Sequence, residues 1–266
     1  MTEMMPIASG SSGNCIYVGT DDTHVLIDAG ISGKRVEQGL NGAGLSMSDI
    51  DAVLVTHEHI DHVKGLGVLA RRWEKPIYAT GATIDAIKEN TSLGKIDSEL
   101  FCPIDNEGEF TIGDLEFNSF PISHDAADPV AYIARNGSKS VGVVTDLGVY
   151  DESTVERLKG LDILLLEANH DVRMLEIGRY PYHLKMRIMG ERGHLSNETA
   201  GKLLSEALHD DIKTIVLGHL SRENNLPQLA LESVKAEITL SETPYKGNDF
   251  KIIVAGRDEP TEKLHA

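Results

Sequence analysis

Residues 56–62 read Thr-His-Glu-His-Ile-Asp-His, and this stretch carries the strongest chemical signal in the 266-residue chain. Three histidines and one aspartate fall within residues 57–62, a density of ligands that suits a borderline divalent metal. The apolar residues 52–55 before them predict a buried strand, so the ligands lie on the loop that leaves it. Side chains two residues apart share a face, which lets His57 and His59 point the same way while Asp61 and His62 turn to a second metal. A solvated helix start with chance histidines would not explain this density.

Three more candidate ligands follow predicted strands elsewhere in the chain, and they are His124, Asp146 and His219. Taken singly, a histidine at a strand end is more often an ordinary hydrogen-bonded residue. However, layered α/β proteins gather their sites at strand ends, and one segment cannot supply every ligand of two metals. We therefore expect the three residues to complete the site begun by residues 57–62.

In this order, the candidate ligands resemble the signature of the metallo-β-lactamase superfamily. Asp28, in Val-Leu-Ile-Asp-Ala-Gly, matches the family's first motif, an aspartate that ends an early strand. The segments at residues 9–15 (Ser-Gly-Ser-Ser-Gly-Asn-Cys) and 192–197 (Arg-Gly-His-Leu-Ser-Asn) make the chain similar to the YycJ (WalJ) group of that superfamily. The resemblance covers essentially the whole chain, but it is specific for fold and metal site and not for substrate.

The resemblance implies an α/β (α+β) fold, a four-layer αββα sandwich with metals at one edge. It implies two divalent ions per chain, the first held by His57, His59 and His124 and the second by Asp61, His62 and His219. Asp146 would bridge the two ions, and Asp28 would accept a hydrogen bond that orients a ligand histidine or the neighbouring loop. Imidazole and carboxylate ligands suit zinc, manganese or iron, so the sequence does not name the metal.

Apolar runs alternate with amphipathic stretches, which predicts layered α/β structure in a single domain over residues 1–266. Predicted strands cover residues 15–19, 24–28, 52–56, 109–112, 115–121, 130–134, 140–145, 163–167, 214–217 and 250–254. Predicted helices cover residues 33–43, 64–72, 81–89, 152–158, 181–190, 196–207 and 226–237. The polar tail from Arg257 is expected to be frayed.

The sequence offers several candidates for the remaining catalytic roles. Besides Asp61 and Asp28, the candidate general acids are His183 and His194, which lie in a locally basic stretch that also holds Tyr180 and Tyr182. The candidate substrate contacts are Lys185, Arg187, Arg192, Arg222 and Asn169. A basic stretch with interleaved aromatic residues is typical of a phosphate or nucleic-acid surface, although a solvated helix face has the same composition.

The formal net charge of −17 disfavours loose, sequence-blind binding to nucleic acid, which depends on a basic surface. It does not exclude a local basic groove or the positive charge that bound metals add. No secretory signal and no membrane-spanning apolar run is visible, so we expect a cytoplasmic protein. An exported β-lactamase is therefore disfavoured.

The resulting hypothesis is a dinuclear-metal phosphodiesterase, a 5′ exonuclease that attacks DNA through a metal-bridging hydroxide and needs no serine or cysteine nucleophile. The DNA substrate and the 5′ polarity come from the resemblance to the YycJ (WalJ) group. The alternative is a hydrolase of a small thioester, lactone or cyclic phosphodiester that uses the same metals. A non-catalytic metal-binding module is a third interpretation, which a paired and open metal site disfavours.

Overall fold

The computed structural model describes residues 2–266 and folds them into two seven-stranded β-sheets that pack face to face. The first sheet contains β1 (Glu3–Ala8), β2 (Cys15–Gly19), β3 (His24–Ile27), β4 (Ala52–Leu54), β5 (Ile77–Thr80), β6 (Phe101–Ile104) and β14 (Leu264–His265). The second sheet contains β7 (Gly108–Ile112), β8 (Leu115–Pro121), β9 (Val130–Asn136), β10 (Lys139–Val144), β11 (Ile163–Glu167), β12 (Thr214–Gly218) and β13 (Ile252–Val254). The strand order is β14-β1-β2-β3-β4-β5-β6 in the first sheet and β13-β12-β11-β10-β9-β8-β7 in the second.

Helices lie between the strands along the chain. The α-helices of the described part are α1 (Gly33–Gly42), α2 (Ile60–Val63), α3 (Leu66–Trp73), α4 (Gly81–Glu89), α5 (Glu152–Leu158), α6 (Val172–Ile177), α7 (Tyr182–Ile188), α8 (Asn197–Ala207) and α9 (Pro227–Leu240). Ser196 caps α8 by accepting a 3.1 Å hydrogen bond from the Thr199 backbone N–H. Pro227 occupies the first turn of α9, where its missing N–H has no cost. Within residues 2–266, no helix combines the length and the apolar character that crossing a bilayer requires.

Alternation along each strand divides the apolar side chains among three cores. In β3, Val25 and Ile27 point into the core between the two sheets, whereas Leu26 points into the core beneath α1, α3 and α4. In β11, Leu165 points between the sheets, whereas Leu164 points into the core beneath α5, α8 and α9. The strands are therefore buried on both faces, which explains why they read as continuous apolar runs. The four-layer αββα sandwich predicted from the sequence is confirmed.

Several elements depart from the sequence-based prediction. β1, β5, β6 and the helices α2 and α6 were not predicted, and the helix predicted at residues 64–72 is α3, which begins at Leu66 and ends at Trp73. Pro6 lies in β1 next to a register shift, and Pro103 lies in the edge strand β6. Proline is tolerated at bulges and edges of a sheet, but it lowers the strand signal of a sequence.

The prediction that the tail from Arg257 is frayed is wrong at its end. Leu264 and His265 form β14, which pairs antiparallel with β1 and closes one edge of the first sheet. Leu264 is only 4% exposed and contributes to the core between the sheets, and the Lys263 ammonium lies 3.0 Å from the Glu3 carboxylate. A single buried leucine can anchor a polar segment. The average composition of the tail, on which the prediction rested, does not reveal such a residue.

We expect Leu264→Ala to lower the free energy of unfolding by about 2 to 3 kcal/mol, because it removes a buried side chain from the core between the sheets. Urea denaturation measures this difference. Leu240→Ala is the matched control, since Leu240 is 80% exposed and its truncation should change stability by less than about 0.5 kcal/mol. Equal stability of the Leu264→Ala and wild-type proteins would show that β14 lies outside the cooperative fold.

Candidate metal centre

Side chains from both sheets meet at one edge of the sandwich. Residues 57–62 follow β4 in the first sheet, and Asp146 and His219 follow β10 and β12 in the second. β3 and β4 are parallel neighbours, as are β10, β11 and β12, so their carboxyl ends gather at the same edges of the two sheets. The candidate ligands separated widely in sequence therefore come together.

Two candidate ligands and Asp28 have a left-handed backbone conformation. The φ angles of Asp28, Asp146 and His219 are 63°, 59° and 54°, and each residue lies just after a strand. Such a conformation costs roughly 1 to 3 kcal/mol for a residue other than glycine, and it persists where the surrounding structure enforces it. The turn at each position directs a polar side chain into the edge of the sandwich instead of continuing the strand.

The donor atoms form groups in which all atoms lie within 4.8 Å of one another. The groups are His57, His59 and His124; Asp61, His62 and His219; His57, His62 and Asp146; and Asp146, Glu167, His194 and His219. The first two groups have the composition that the sequence resemblance implied for two metal sites. Asp146 lies between them and belongs to both of the remaining groups.

Several donor atoms lack the partners that a purely structural cluster would have. Among the described residues, His57 Nε2 is buried without a hydrogen-bond partner, and Asp146 Oδ2, although it lies 3.1 Å from His62 Nε2, makes no hydrogen bond of normal geometry. His124 Nε2 and His59 Nδ1 lie 3.2 Å apart, with two ring nitrogens directed at each other. Buried polar atoms are ordinarily satisfied, so these atoms fit a cation at the centre of each group.

The electrostatics of the cluster favour cations as well. Burial lowers the pKa of His57 well below its usual range, so its imidazole is neutral and able to bind a metal. Burial opposes protonation of His219, but the carboxylates of Asp146, Asp61 and Glu167 outweigh it and raise the pKa of His219 to about 10. The cluster therefore attracts positive charge, which divalent ions can supply.

Hydrogen bonds fix the first-sheet half of the cluster. His62 Nδ1 donates to Asp28 Oδ2 at 2.7 Å, and the Thr56 backbone N–H donates to Asp28 Oδ1 at 2.8 Å. The Asn14 backbone N–H donates to the Asp61 carbonyl at 2.8 Å, which anchors α2 to the loop between β1 and β2. Gly30 packs so closely here that a Cβ would overlap the Asp61 carbonyl, so only glycine fits. The contact between His62 and Asp28 is of the kind that the sequence motif implies for Asp28.

Glu167 is the principal site residue that sequence reasoning missed. It is fully buried, and it accepts hydrogen bonds from His219 Nδ1 at 2.6 Å and from His194 Nδ1 at 2.9 Å. The backbone N–H groups of Leu147 and Leu195 also donate to its carboxylate. Burial would raise the pKa of Glu167, but the two histidines outweigh it and lower the pKa to about 2. In sequence, Glu167 is a carboxylate that ends an apolar strand, as Asp28 nearly is, but no family motif was matched at Glu167.

The loop between β1 and β2 also contributes to the centre. The Ser9 hydroxyl accepts a 2.9 Å hydrogen bond from the His219 backbone N–H. Asn169, a predicted substrate contact, donates from Nδ2 to the His219 carbonyl at 2.9 Å and also lines the cleft. The serine- and glycine-rich loop thus hydrogen-bonds the backbone of His219, a candidate ligand. Asn169 also hydrogen-bonds the His219 backbone, in addition to lining the cleft.

The predicted acid and substrate contacts fall at different places. His194 and Arg187 line the cleft over the donor cluster, and Arg187 also pairs with Asp125 at 2.5 Å. His183 and Lys185 lie on α7 but do not line this cleft, and the Lys185 ammonium donates to the Glu176 carbonyl at 2.7 Å.

Arg192 and Arg222 also differ from the expectation of direct contacts within the cleft. Arg192 donates from Nε to the His124 carbonyl at 2.9 Å, so its guanidinium supports the loop of a candidate ligand. Arg222 lines a neighbouring pocket rather than the cleft itself. The basic stretch is therefore partly used to build the site, which sequence composition could not reveal.

The αββα sandwich with clustered donors at its edge defines a divalent-metal-binding protein of the metallo-β-lactamase type. Residues 23–219 match the family model described as Beta-lactamase superfamily domain, and the chain belongs to this superfamily. It is 42% identical over 228 residues to the exodeoxyribonuclease YycJ of Bacillus anthracis, covering 86% of each protein. It is 38% identical over 255 residues to the exodeoxyribonuclease WalJ of Streptococcus pneumoniae, covering 96% of this chain and 94% of WalJ.

Among solved structures, the metallo-beta-lactamase fold protein YhfI from Bacillus subtilis superposes with a TM-score of 0.72. The superposition covers 98% of each chain at 17% sequence identity, so it supports the fold alone. The resemblance to the superfamily and to its YycJ (WalJ) group, stated from the sequence motifs, is confirmed.

We expect Glu167→Gln to weaken metal binding about 10- to 100-fold, the usual effect of losing a carboxylate that orients a metal-binding histidine. Titration calorimetry with Zn²⁺ or Mn²⁺ measures the affinity. Asp162→Asn is the matched control, because Asp162 precedes the opposite end of β11 and pairs with Lys139 at 2.6 Å. It should alter stability but leave metal affinity unchanged, and equal metal affinities in the Glu167→Gln and wild-type proteins would contradict the positioning role.

Proposed function

We propose that this protein is a metal-dependent phosphodiesterase that shortens DNA from its 5′ ends. The observation that carries the proposal is the pair of three-residue donor groups joined by Asp146, an arrangement suited to two metals acting on one ester. Relatives named exodeoxyribonucleases match most of the chain and support DNA as the substrate. The 5′ polarity rests on the sequence resemblance to the YycJ (WalJ) group, and a DNA substrate is consistent with a cytoplasmic location.

The proposed ligands of the first ion are His57, His59 and His124, and those of the second are Asp61, His62 and His219, with Asp146 shared. Two bound divalent ions would supply Lewis acidity and a positive field for the scissile phosphate. Zinc, manganese and iron all suit imidazole and carboxylate donors. The left-handed turns at Asp146 and His219 and the hydrogen bonds to Asp28 and Glu167 support this set, because they hold the donors in place before any ligand arrives.

Asp61 is proposed to orient the attacking water. Its side chain is 21% exposed and lines the cleft, whereas the Asp146 side chain is only 2% exposed. Asp61 Oδ2 lies 3.3 Å from His219 Nε2, so one carboxylate oxygen is engaged in the cluster. A carboxylate with an open side can accept a hydrogen bond from water and direct its lone pair at the substrate.

His194 is the proposed general acid, in preference to His183. Its side chain is 20% exposed in the cleft, and its Nδ1–H is held by Glu167 at 2.9 Å. Burial would lower the pKa of His194, but the Glu167 carboxylate outweighs it and raises the pKa above its ordinary value. The ring is thereby able to carry a second proton on Nε2 and to deliver it to the leaving oxygen. His183 is exposed on α7 and is not among the residues that line the cleft.

The cleft suits an anionic ester. It has a volume of about 250 Å³ and is lined mainly by polar residues, with Arg187 and Asn169 at its wall. The Arg187 guanidinium can donate two hydrogen bonds to a phosphate if it gives up part of its pairing with Asp125. The small volume favours one terminal nucleotide, and it also keeps a small cyclic phosphodiester, thioester or lactone as the second candidate substrate.

End-labelled duplex DNA incubated with Mn²⁺ or Zn²⁺ should be shortened stepwise by the wild-type protein. His59→Ala and Asp146→Ala should reduce digestion to background while circular dichroism shows the fold retained, because each removes a proposed ligand. Leu240→Ala is the folded control. Full activity in either ligand variant would refute the metal assignment, and turnover of small esters without any digestion of DNA would favour the second candidate.

Arg187→Gln should lower kcat/KM on DNA about tenfold, the low end for a lost hydrogen bond to a charged group. It should affect the small diester bis(p-nitrophenyl) phosphate less, since that substrate has no further phosphates to hold. Lys185→Gln is the matched control on the same helix, because Lys185 contacts a backbone carbonyl outside the cleft. Equal losses on both substrates would count against an extended contact with nucleic acid.

A further inference from the structure

A second pocket adjoins the metal cleft on the other side of residues 219–222. His219 and Ser221 face the cleft, whereas Leu220 and Arg222 face the second pocket, so the two cavities share one thin wall. The second pocket has a volume of about 360 Å³, within the range of about 300–1,000 Å³ that small ligands occupy.

The walls of this pocket combine apolar surface with positive charge. The apolar lining comes from Leu220, Leu226, Pro227, Val254 and Ala255. Two arginines, Arg222 and Arg257, also line the pocket, as does Asp258, whose carboxylate is paired with Arg35 at 3.3 Å. In a chain of net charge −17, an apolar slot with two arginines is suited to a flat ring that carries a phosphate.

The two arginines have different surroundings. Arg257 Nη2 donates to the carbonyls of Leu220 and Ser221 at 3.3 and 3.0 Å, so Arg257 holds the shared wall in place. Arg222 is exposed, and it has no ion-pair or hydrogen-bond partner among residues 2–266. Arg222 is therefore the cation that remains free to meet a ligand.

Tyr180 places an aromatic ring in the lining of the metal cleft. Aromatic rings at such places stack on bases without regard to sequence.

We propose that this pocket binds the base of a second nucleotide of the DNA strand, next to the nucleotide whose phosphate lies in the metal cleft, with Arg222 on the intervening backbone. The inference rests on the proposed DNA substrate and narrows it to an end at which at least two nucleotides are unpaired or become unpaired on binding, since a paired base could not enter the pocket. A free mononucleotide has the same chemistry and is the competing source of the ligand.

The test compares Arg222→Gln and Leu226→Asp with the wild type. Leu226 immediately precedes α9 at its N-cap, where aspartate is a preferred residue, so Leu226→Asp adds a negative charge to the pocket without weakening the helix start. Glu223→Gln is the control, since Glu223 is the exposed neighbour and does not line the pocket. Binding of a fluorescent phosphorothioate oligo-dT, whose linkages resist hydrolysis, is measured by anisotropy on the metal-loaded protein, which separates binding from turnover.

Each pocket variant should raise the Kd for oligo-dT about tenfold, within the range expected for one lost base-stacking site. KM on the oligonucleotide should rise in parallel, while kcat on bis(p-nitrophenyl) phosphate stays within about twofold of the wild type. An abasic nucleotide placed in turn at the first four positions should weaken wild-type binding at one position, and that effect should vanish in Leu226→Asp.

Unchanged oligonucleotide binding in both variants would overturn the pocket assignment while leaving the nuclease proposal standing. Parallel losses on the small diester would also overturn it, because they would indicate damage to the metal centre. A third outcome would assign the pocket to a free nucleotide instead. In it, free thymidine monophosphate inhibits the wild type but not Leu226→Asp, and an abasic nucleotide weakens binding at none of the four positions. Failure of the wild type to bind or digest any DNA would remove the proposed function itself.

Discussion

A single buried carboxylate surrounded by imidazoles dominates this structure. The Asp146 side chain is 2% exposed, and its oxygens lie 3.1 Å from His62 Nε2 and 3.6 Å from ring nitrogens of His124, His194 and His219. Burying a carboxylate is costly unless positive charge compensates it. Protonated imidazoles such as that of His219, whose pKa is raised to about 10, can supply this charge, and so could divalent ions held by the same donors. The left-handed turns around the cluster are the cost of directing the donors inward.

The rest of the fold holds this cluster from two directions. The first sheet contributes residues 57–62 and fixes them through Asp28, while the second contributes His124, Asp146 and His219 and fixes the last through Glu167. The first sheet alone presents four of the seven proposed ligands, and the second presents three. The apolar core between the sheets is what joins the halves, so packing energy and metal binding are coupled in this protein.

The charged groups around the centre have divided roles. Arg192 supports the loop of His124, whereas Arg187 faces the cleft and Arg222 faces the neighbouring pocket. A protein with a net charge of −17 can therefore still present local positive charge to a polyanion. Contacts limited to a few arginines near the chemistry would favour the end of a strand over the length of a duplex, in accordance with the small volume of the cleft.

The sequence by itself determined the candidate ligands, because ligand chemistry and the strand before each ligand are local properties of the chain. The superfamily and the αββα architecture came from the resemblance of these motifs, in their order, to a known family. The tertiary structure decided what depends on packing between distant segments. It brought Glu167 against His194 and His219, left His183 outside the cleft, and paired the terminal strand at Leu264 with β1. A carboxylate at a strand end, a histidine in a basic stretch and a leucine in a polar tail look ordinary in sequence, since their partners lie far along the chain and only folding brings them into contact.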